Sequence, residues 1–188
     1  MLELIYSPDS NTLIGGAETL DETLHLPVVE SSGNVVGRAG LNVCHARRLV
    51  HPYLRMYVIN RGGELLLRKR DPEEKEGEAV WDCPVYGHVL FGECFEETIF
   101  RRAALQLGPV DLNPQYFGTY MYTVPTEKML VGVYAAIGSL TPSRTSEEAG
   151  EYAYRSLEEL GSGLGSGRLA PELEYDLKLF ETKLTALL

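Results

Sequence analysis

The stretch that most constrains this chain runs from Gly87 to Gly108, GHVLFGECFEETIFRRAALQLG. It reads as a glycine-bounded loop followed by a helix. Cys94 stands at the N-cap position, Glu96 and Glu97 fall in the first turn, where the helix dipole favours carboxylates, and Gly108 stops the helix. Glu97, three residues after Cys94, is placed to reach back and cap the helix start. Phe95, Ile99, Ala103 and Leu107 recur every fourth residue and form the expected buried stripe. Thr98, Arg102 and Gln106 make a second line on a different face.

Around that stretch the chain alternates strands and helices. LPVVESSGNVVGRAGL places two apolar runs about the turn cluster Ser31-Ser32-Gly33-Asn34, a hairpin signature, while the preceding Pro8, Asp9, Ser10 and Asn11 read as an irregular lead-in. RMYVIN and ELLLRKR form a second hairpin about Arg61-Gly62-Gly63. A charged loop spans Asp71 to Glu78, and a strand from Trp81 to Val89 feeds the central stretch. Beyond the helix, YFGTYMYT and KMLVGVYAAIGSL are strands joined at Val124-Pro125-Thr126-Glu127, and EYAYRS is a shorter strand leading into a helical SLEELG. GSGLGSG, Gly161 to Gly167, reads as a flexible linker rather than a phosphate loop, since no strand feeds it and no Lys-Ser/Thr follows. From Pro171 to Leu188, the residues Leu173, Leu177, Phe180, Leu184 and Leu187 mark a terminal helix. This order predicts an α/β protein, with a mixed α+β sheet between helices.

The central stretch resembles the Nudix box, G-x5-E-x7-R-E-U-x-E-E-x-G-U with U aliphatic, through Gly87, Glu93, Arg101, Ala103 and Gly108. The resemblance implies a Nudix-type α/β/α sandwich and cleavage of a nucleoside diphosphate linked to another group. It also implies that Glu93 and Arg101 form the internal ion pair that fixes loop to helix. Where the family carries its helix glutamates, however, this chain has Arg102, Leu105 and Gln106, and Pro109 takes the last aliphatic place. Diphosphate cleavage needs divalent cations, and magnesium prefers hard carboxylate oxygens. Arginine cannot ligate a cation, and glutamine offers only a neutral carbonyl. The expectation is a Nudix fold whose standard magnesium-dependent catalysis is impaired or lost.

Three readings follow. In the first, a hydrolase uses magnesium held by Glu93, Glu96 or Glu97, with Glu93 and Glu97 as catalytic candidates. In the second, a non-catalytic module binds a small-molecule diphosphate, with Arg102 contacting phosphate directly. Candidate diphosphate contacts in either version are Arg70, Arg101, Arg102, Tyr86 and the backbone at Gly87. The third rests on a wider resemblance, from Leu26 to Phe180, to the subgroup containing isopentenyl-diphosphate isomerase. There, three histidines and two glutamates hold a metal, and a cysteine and one of those glutamates work across the double bond. His51 and His88 fall on two histidine positions, His45 lies one residue out of register with the third, and Glu127 matches one glutamate. Met129 replaces the other glutamate and Tyr86 the cysteine, which removes the acid–base pair that alkene isomerisation requires. A rebuilt site of His45, His51, His88 and Glu127 would suit zinc or another transition ion. The alternative is that His51 and His88 are hydrogen-bonded strand residues and His45 a loop residue.

Composition bounds the rest. At 188 residues with 44% hydrophobic content, the chain suits one domain, taken as residues 26–188 behind a lead-in of residues 1–25. No apolar run approaches the roughly 18 residues that span a bilayer, and no basic leader precedes one, so the expectation is a cytoplasmic protein without membrane contact. Cys44, Cys83 and Cys94 include no CxxC pair and read as reduced thiols. A formal charge of -10 disfavours nucleic acid as a partner. Residues 1–37 hold no Lys or Arg, while Arg38, Arg47, Arg48, Arg55, Arg61, Arg68, Lys69, Arg70 and Lys75 crowd the next stretch, as an anion-binding surface or as solvated strand residues. A homodimer is only the default expectation for a soluble chain.

Overall fold

A computed structural model describes residues 3–12, 24–70, 80–140 and 151–185. The expected loop at 71–78 and Leu187 lie outside them. Strands β1 (Ile5–Tyr6), β2 (His25–Val29) and β3 (Asn34–Gly40) form a three-stranded sheet in the order β1-β3-β2. The hairpin turn falls where the sequence puts it. Gly33 takes φ 88°, which a side chain would resist, and its N–H donates to the Glu30 carbonyl at 3.0 Å. The lead-in is more ordered than its composition suggests: Ile5 and Tyr6 pair in parallel with Asn34 and Val35, giving backbone groups on the second edge of β3 a partner.

Helix α1 (Leu41–Arg47) leaves β3 and ends at Arg48, a left-handed residue with φ 52° whose N–H donates to the His45 carbonyl at 3.1 Å. That reversal delivers the chain into β4 (Val50–Ile59). The turn into β5 (Glu64–Lys69) is held by the Asn60 side-chain oxygen, which accepts from Gly62 N–H at 2.9 Å and Glu64 N–H at 3.0 Å. The single strand expected from Trp81 to Val89 is instead two, β6 (Trp81–Asp82) and β7 (Val85–His88). Pro84 stands at the break and has no N–H to give a ladder.

Helix α2 (Phe95–Leu107) follows, with Phe95, Ile99, Ala103 and Leu107 all buried as expected. Phe95 lies so close to Gly132 that a Cβ there would meet its ring at 2.6 Å, so the β-strand glycine makes room for the helix. Next come β8 (Gln115–Thr123), β9 (Lys128–Ile137), β10 (Glu151–Ser156), α3 (Leu157–Gly163) and α4 (Pro171–Thr185). The larger sheet runs β10-β5-β4-β9-β8, with β6 on β5 and β7 on β4. The expected linker at Gly161 to Gly167 is partly helical, because a capping box between Ser156 and Glu159 nucleates α3 through Gly163. Gly165 and Gly167, at φ 72° and 77°, then form tight turns.

The chain packs as two compact units. The first comprises Met1–Arg55, Tyr86–Arg101 and Gly118–Val133; the second comprises Met56–Val85, Arg102–Phe117 and Tyr134–Leu188. In the first, Leu26, Val28, Ala39 and Cys44 pack with Leu41, Val43, Leu49 and Leu90, which seats α1 on the hairpin. In the second, α4 buries Leu173, Leu177, Phe180 and Leu184, each contributing about 1.5–3 kcal/mol of hydrophobic stabilisation. Asp176 on the same helix accepts from the Tyr57 hydroxyl at 2.5 Å, so the buried carboxylate is partnered. No helix among the described residues is long and apolar enough to cross a membrane.

Candidate metal centre

Within the first unit, four side chains distant in sequence converge. His45 comes from the last turn of α1, His51 from the start of β4, His88 from the end of β7, and Glu127 from the turn leading into β9. The left-handed Arg48 makes the meeting possible by turning the chain between His45 and His51. Its guanidinium also donates to the Val124 carbonyl at 3.2 Å, tying that corner to the turn that carries Glu127. His45 is therefore a helix residue, not the loop residue of the alternative reading. One ligand atom from each of the four lies within 4.8 Å of all the others.

The contacts are too long for charge-assisted hydrogen bonds. His45 Nε2, His51 Nε2 and His88 Nε2 stand 3.3, 3.5 and 3.6 Å from Glu127 Oε2, and His45 Nε2 is 3.4 Å from His88 Nε2. Charge-assisted hydrogen bonds are shorter, about 2.7–2.9 Å. His51 Nδ1 is 2.9 Å from the Leu49 carbonyl, which can only accept, so Nδ1 carries the proton and Nε2 presents a lone pair. That imidazole is fully buried, and neither its Nε2 nor Glu127 Oε2 has a hydrogen-bond partner. In that tautomer two buried acceptors, His51 Nε2 and Glu127 Oε2, stand 3.5 Å apart. Such an arrangement suits a cation: ligands about 2.1 Å from one ion lie about 3.0–3.5 Å apart.

The electrostatics agree with that donor set. Where His51 and His88 present Nε2–H, they hold the Glu127 carboxyl far below the usual carboxylate range, against the effect of burial; with Nε2 of His51 as a lone pair, a cation would take the place of that donor. Burial pushes His45 and His88 down, and Glu127 only partly offsets it, so both favour the neutral form that binds metals. The Leu49 carbonyl, by accepting from Nδ1, fixes the orientation of the His51 ring and aims Nε2 at Glu127. The Tyr53 ring stands edge-on to His88, 5.0 Å between centroids, and walls one side. Tyr53 was not among the sequence candidates; its position two residues after His51 on β4 was the available signal.

The glutamates of the central stretch are otherwise engaged. Glu93 accepts from Arg101 Nε at 2.7 Å, Arg101 Nη2 at 2.8 Å, the Thr98 hydroxyl at 2.8 Å and Leu90 N–H at 3.1 Å. Burial pushes its carboxyl up, but the bonds from Arg101, Thr98 and Leu90 outweigh that and hold it below its ordinary value. Glu97 caps α2 by accepting from Cys94 N–H at 2.8 Å, and Glu96 is half-buried beside it. Arg101 also donates to the His88 carbonyl at 3.0 Å, which joins the loop anchor to one histidine of the cluster. Tyr86 is half-buried on β7, two residues before His88 and hence on its face, with Gly87 between them.

In the second unit, Arg102 and Leu105 are half-buried, Gln106 is fully buried, and the Gln106 carbonyl accepts from the Tyr152 hydroxyl at 2.7 Å. Arg70 is held by Asp82 through Nε at 2.9 Å and by Glu172 at 3.3 Å. This carboxylate pairing is what the structure gives Arg70, rather than an open cationic surface.

Comparison with known proteins defines first the class. Solved structures similar to this chain include the DR0079 protein of Deinococcus radiodurans, at TM-score 0.68 and 23% identity over 82% of this chain and 97% of that one. A MutT protein of Methanosarcina mazei matches at TM-score 0.59 and 20% identity, covering 71% and 94% of the two chains. A Nudix hydrolase of Nitrosomonas europaea matches at TM-score 0.55 and 16% identity, covering 70% and 90%. The fold is the Nudix fold, as the central stretch led one to expect. No protein-family model matches the chain.

Curated relatives narrow it. The isopentenyl-diphosphate Delta-isomerase of Salmonella heidelberg is 31% identical over 121 residues, 61% of this chain and 67% of that protein. That of Paenarthrobacter aurescens is 36% identical over 95 residues; the match spans 50% of this chain and about half, 51%, of the relative. The chain belongs to the Nudix superfamily, in the family of the isopentenyl-diphosphate Delta-isomerases.

Proposed function

We propose that this chain is a metal-dependent protein for a small-molecule diphosphate, with its ion held by His45, His51, His88 and Glu127 rather than by glutamates of the Nudix box. The observation that carries this reading is the unpartnered pair His51 Nε2 and Glu127 Oε2 inside the cluster. Three imidazoles and one carboxylate favour zinc or another first-row transition ion over magnesium, which prefers oxygen ligands. When bound, such an ion polarises a phosphoryl oxygen and lowers the pKa of coordinated water. The chain's own part is to favour neutral His45 and His88 by burial, to fix the tautomer of His51 through Leu49, and to shield one side with Tyr53.

Turnover as an isomerase is not part of this proposal. Tyr86 and Met129 occupy the places of the acid–base pair, and a thioether cannot shuttle protons. Magnesium hydrolysis through Glu93 and Glu97 is disfavoured, because both carboxylates are bound to donors of the loop and helix start. A second reading, direct phosphate contact by Arg102, is supported by its place in the box and its half-buried position on α2.

The test is calorimetric titration of metal-stripped protein with zinc, manganese and magnesium, then with ADP-ribose and isopentenyl diphosphate with and without each metal. Zinc or manganese binding at one site, abolished by His51→Ala, followed by metal-dependent diphosphate binding, is expected. Diphosphate binding that needs no metal and is weakened by Arg102→Ala favours the second reading. Binding that needs magnesium and survives His51→Ala overturns the proposal.

A further inference from the structure

The second unit holds an open cavity of about 420 Å³ lined by residues of β5, β6, β10, α3 and the turns after α3. Cavities that hold small ligands run from roughly 300 to 1,000 Å³. One side is apolar: Leu67, Leu160 and Leu169 are buried there, and Trp81 completes the wall. The Trp81 backbone is clamped by its N–H to the Arg168 carbonyl at 2.9 Å and by Ala170 N–H to its own carbonyl at 2.8 Å, so the wall is built into the chain pairing.

The other side carries Arg155 and Arg168. Arg155 lies over the Trp81 ring, 5.4 Å from its centroid, and donates to the Tyr154 carbonyl at 3.0 Å. Arg168 donates from Nε to the Ser166 hydroxyl at 3.4 Å. Among the described residues neither guanidinium forms an ion pair with a carboxylate. Glu159, on the same rim, is taken by Ser156, whose N–H donates to it at 2.8 Å; Glu158 is exposed there. Arg155 acts on Glu159 only through its field, with no ion-pair contact, so both guanidinium groups can turn to an anion beside the apolar wall.

We propose that this cavity is a ligand site separate from the histidine cluster, for a small organic anion whose head pairs with Arg155 and Arg168 and whose apolar or aromatic body covers Trp81, Leu160 and Leu169. Guanidinium forks match phosphate and carboxylate alike, and a π-face in a leucine-lined wall favours an aromatic or unsaturated body.

Trp81 is the only tryptophan in the chain, so its fluorescence reports on this site. The 188-residue chain is titrated with phenyl phosphate and with benzoate, and with inorganic phosphate and phenol as controls; calorimetry repeats each constant. Saturable quenching by phenyl phosphate or benzoate is expected, with each control at least about tenfold weaker. Whichever of the two binds more tightly identifies the head group. The double variant Arg155→Ala with Arg168→Ala weakens binding at least about tenfold, and His51→Ala leaves it unchanged. Arg168→Gln, an exposed single change, serves if the double variant does not fold. No saturable response, a response unchanged by the arginine variants, equal binding of inorganic phosphate, or loss of binding in His51→Ala overturns the proposal.

Discussion

Glu93 and Glu127 are partly buried carboxylates of the same unit, and their surroundings are opposite. Glu93 has four donated hydrogen bonds, two of them from one arginine. Glu127 has three imidazole nitrogens at 3.3 to 3.6 Å and, on Oε2, no hydrogen bond at all. Both carboxyls are held below their ordinary range, Glu93 by donors that outweigh burial and Glu127 by the facing imidazoles of His51 and His88. A carboxylate supplied with protein donors is a structural anchor, whereas one whose buried oxygen meets three imidazoles and forms no hydrogen bond is a candidate ligand. The comparison separates a loop brace from a candidate ligand position.

His45→Ala breaks the comparison most severely. It removes one donor from a half-exposed position, so zinc affinity should fall at least about 100-fold by competition with a chromophoric chelator. The melting temperature of the metal-free protein should stay within about 2 °C of the parent, since little buried surface is lost. A large loss of metal-free stability with little change in affinity would turn the cluster into a packing feature.

Arg101→Ala acts on the other carboxylate. It strips Glu93 of its charged partner and should lower stability by about 2 kcal/mol in urea melts. The same change flattens the acid limb of the stability profile. A carboxyl whose folded pKa lies below its unfolded value contributes stability that is complete above about pH 4.5 and drains away as pH falls through the folded value. With Arg101 gone, the downward shift shrinks and the slope below pH 4.5 shrinks with it. Because Arg101 also holds the His88 carbonyl, zinc affinity should drop modestly, by about tenfold or less. Thr98→Val is the mildest change: it deletes one neutral donor to Glu93, costs about 1 kcal/mol, and leaves zinc binding unaltered.

Much of the fold was legible because local chemistry and tertiary structure agree. Gly33 and Gly63 sit with positive φ in turns that need them, and the stripes on α2 and α4 are buried as spaced. The errors occur where a local rule was overridden. Gly161 to Gly163 are helical because the Ser156–Glu159 capping box outweighs glycine's preference for other conformations, and Pro84 cuts a run that hydropathy alone reads as continuous. The four cluster residues were legible only through family resemblance. His45 and His51 are brought together by a left-handed residue, Arg48, a type that rarely takes that conformation, while His88 and Glu127 arrive from other strands. Likewise, no sequence spacing shows that Thr98 and Leu90 N–H would occupy Glu93 and so leave Glu127 as the exceptional carboxylate.

The most direct test is zinc titration of metal-stripped protein in three forms: parent, Glu127→Gln and Glu93→Gln. The account predicts one-site binding to the parent, its loss in Glu127→Gln, and its retention in a less stable Glu93→Gln. Zinc binding that survives Glu127→Gln and disappears in Glu93→Gln would place the ion at the Nudix loop and contradict the assignment.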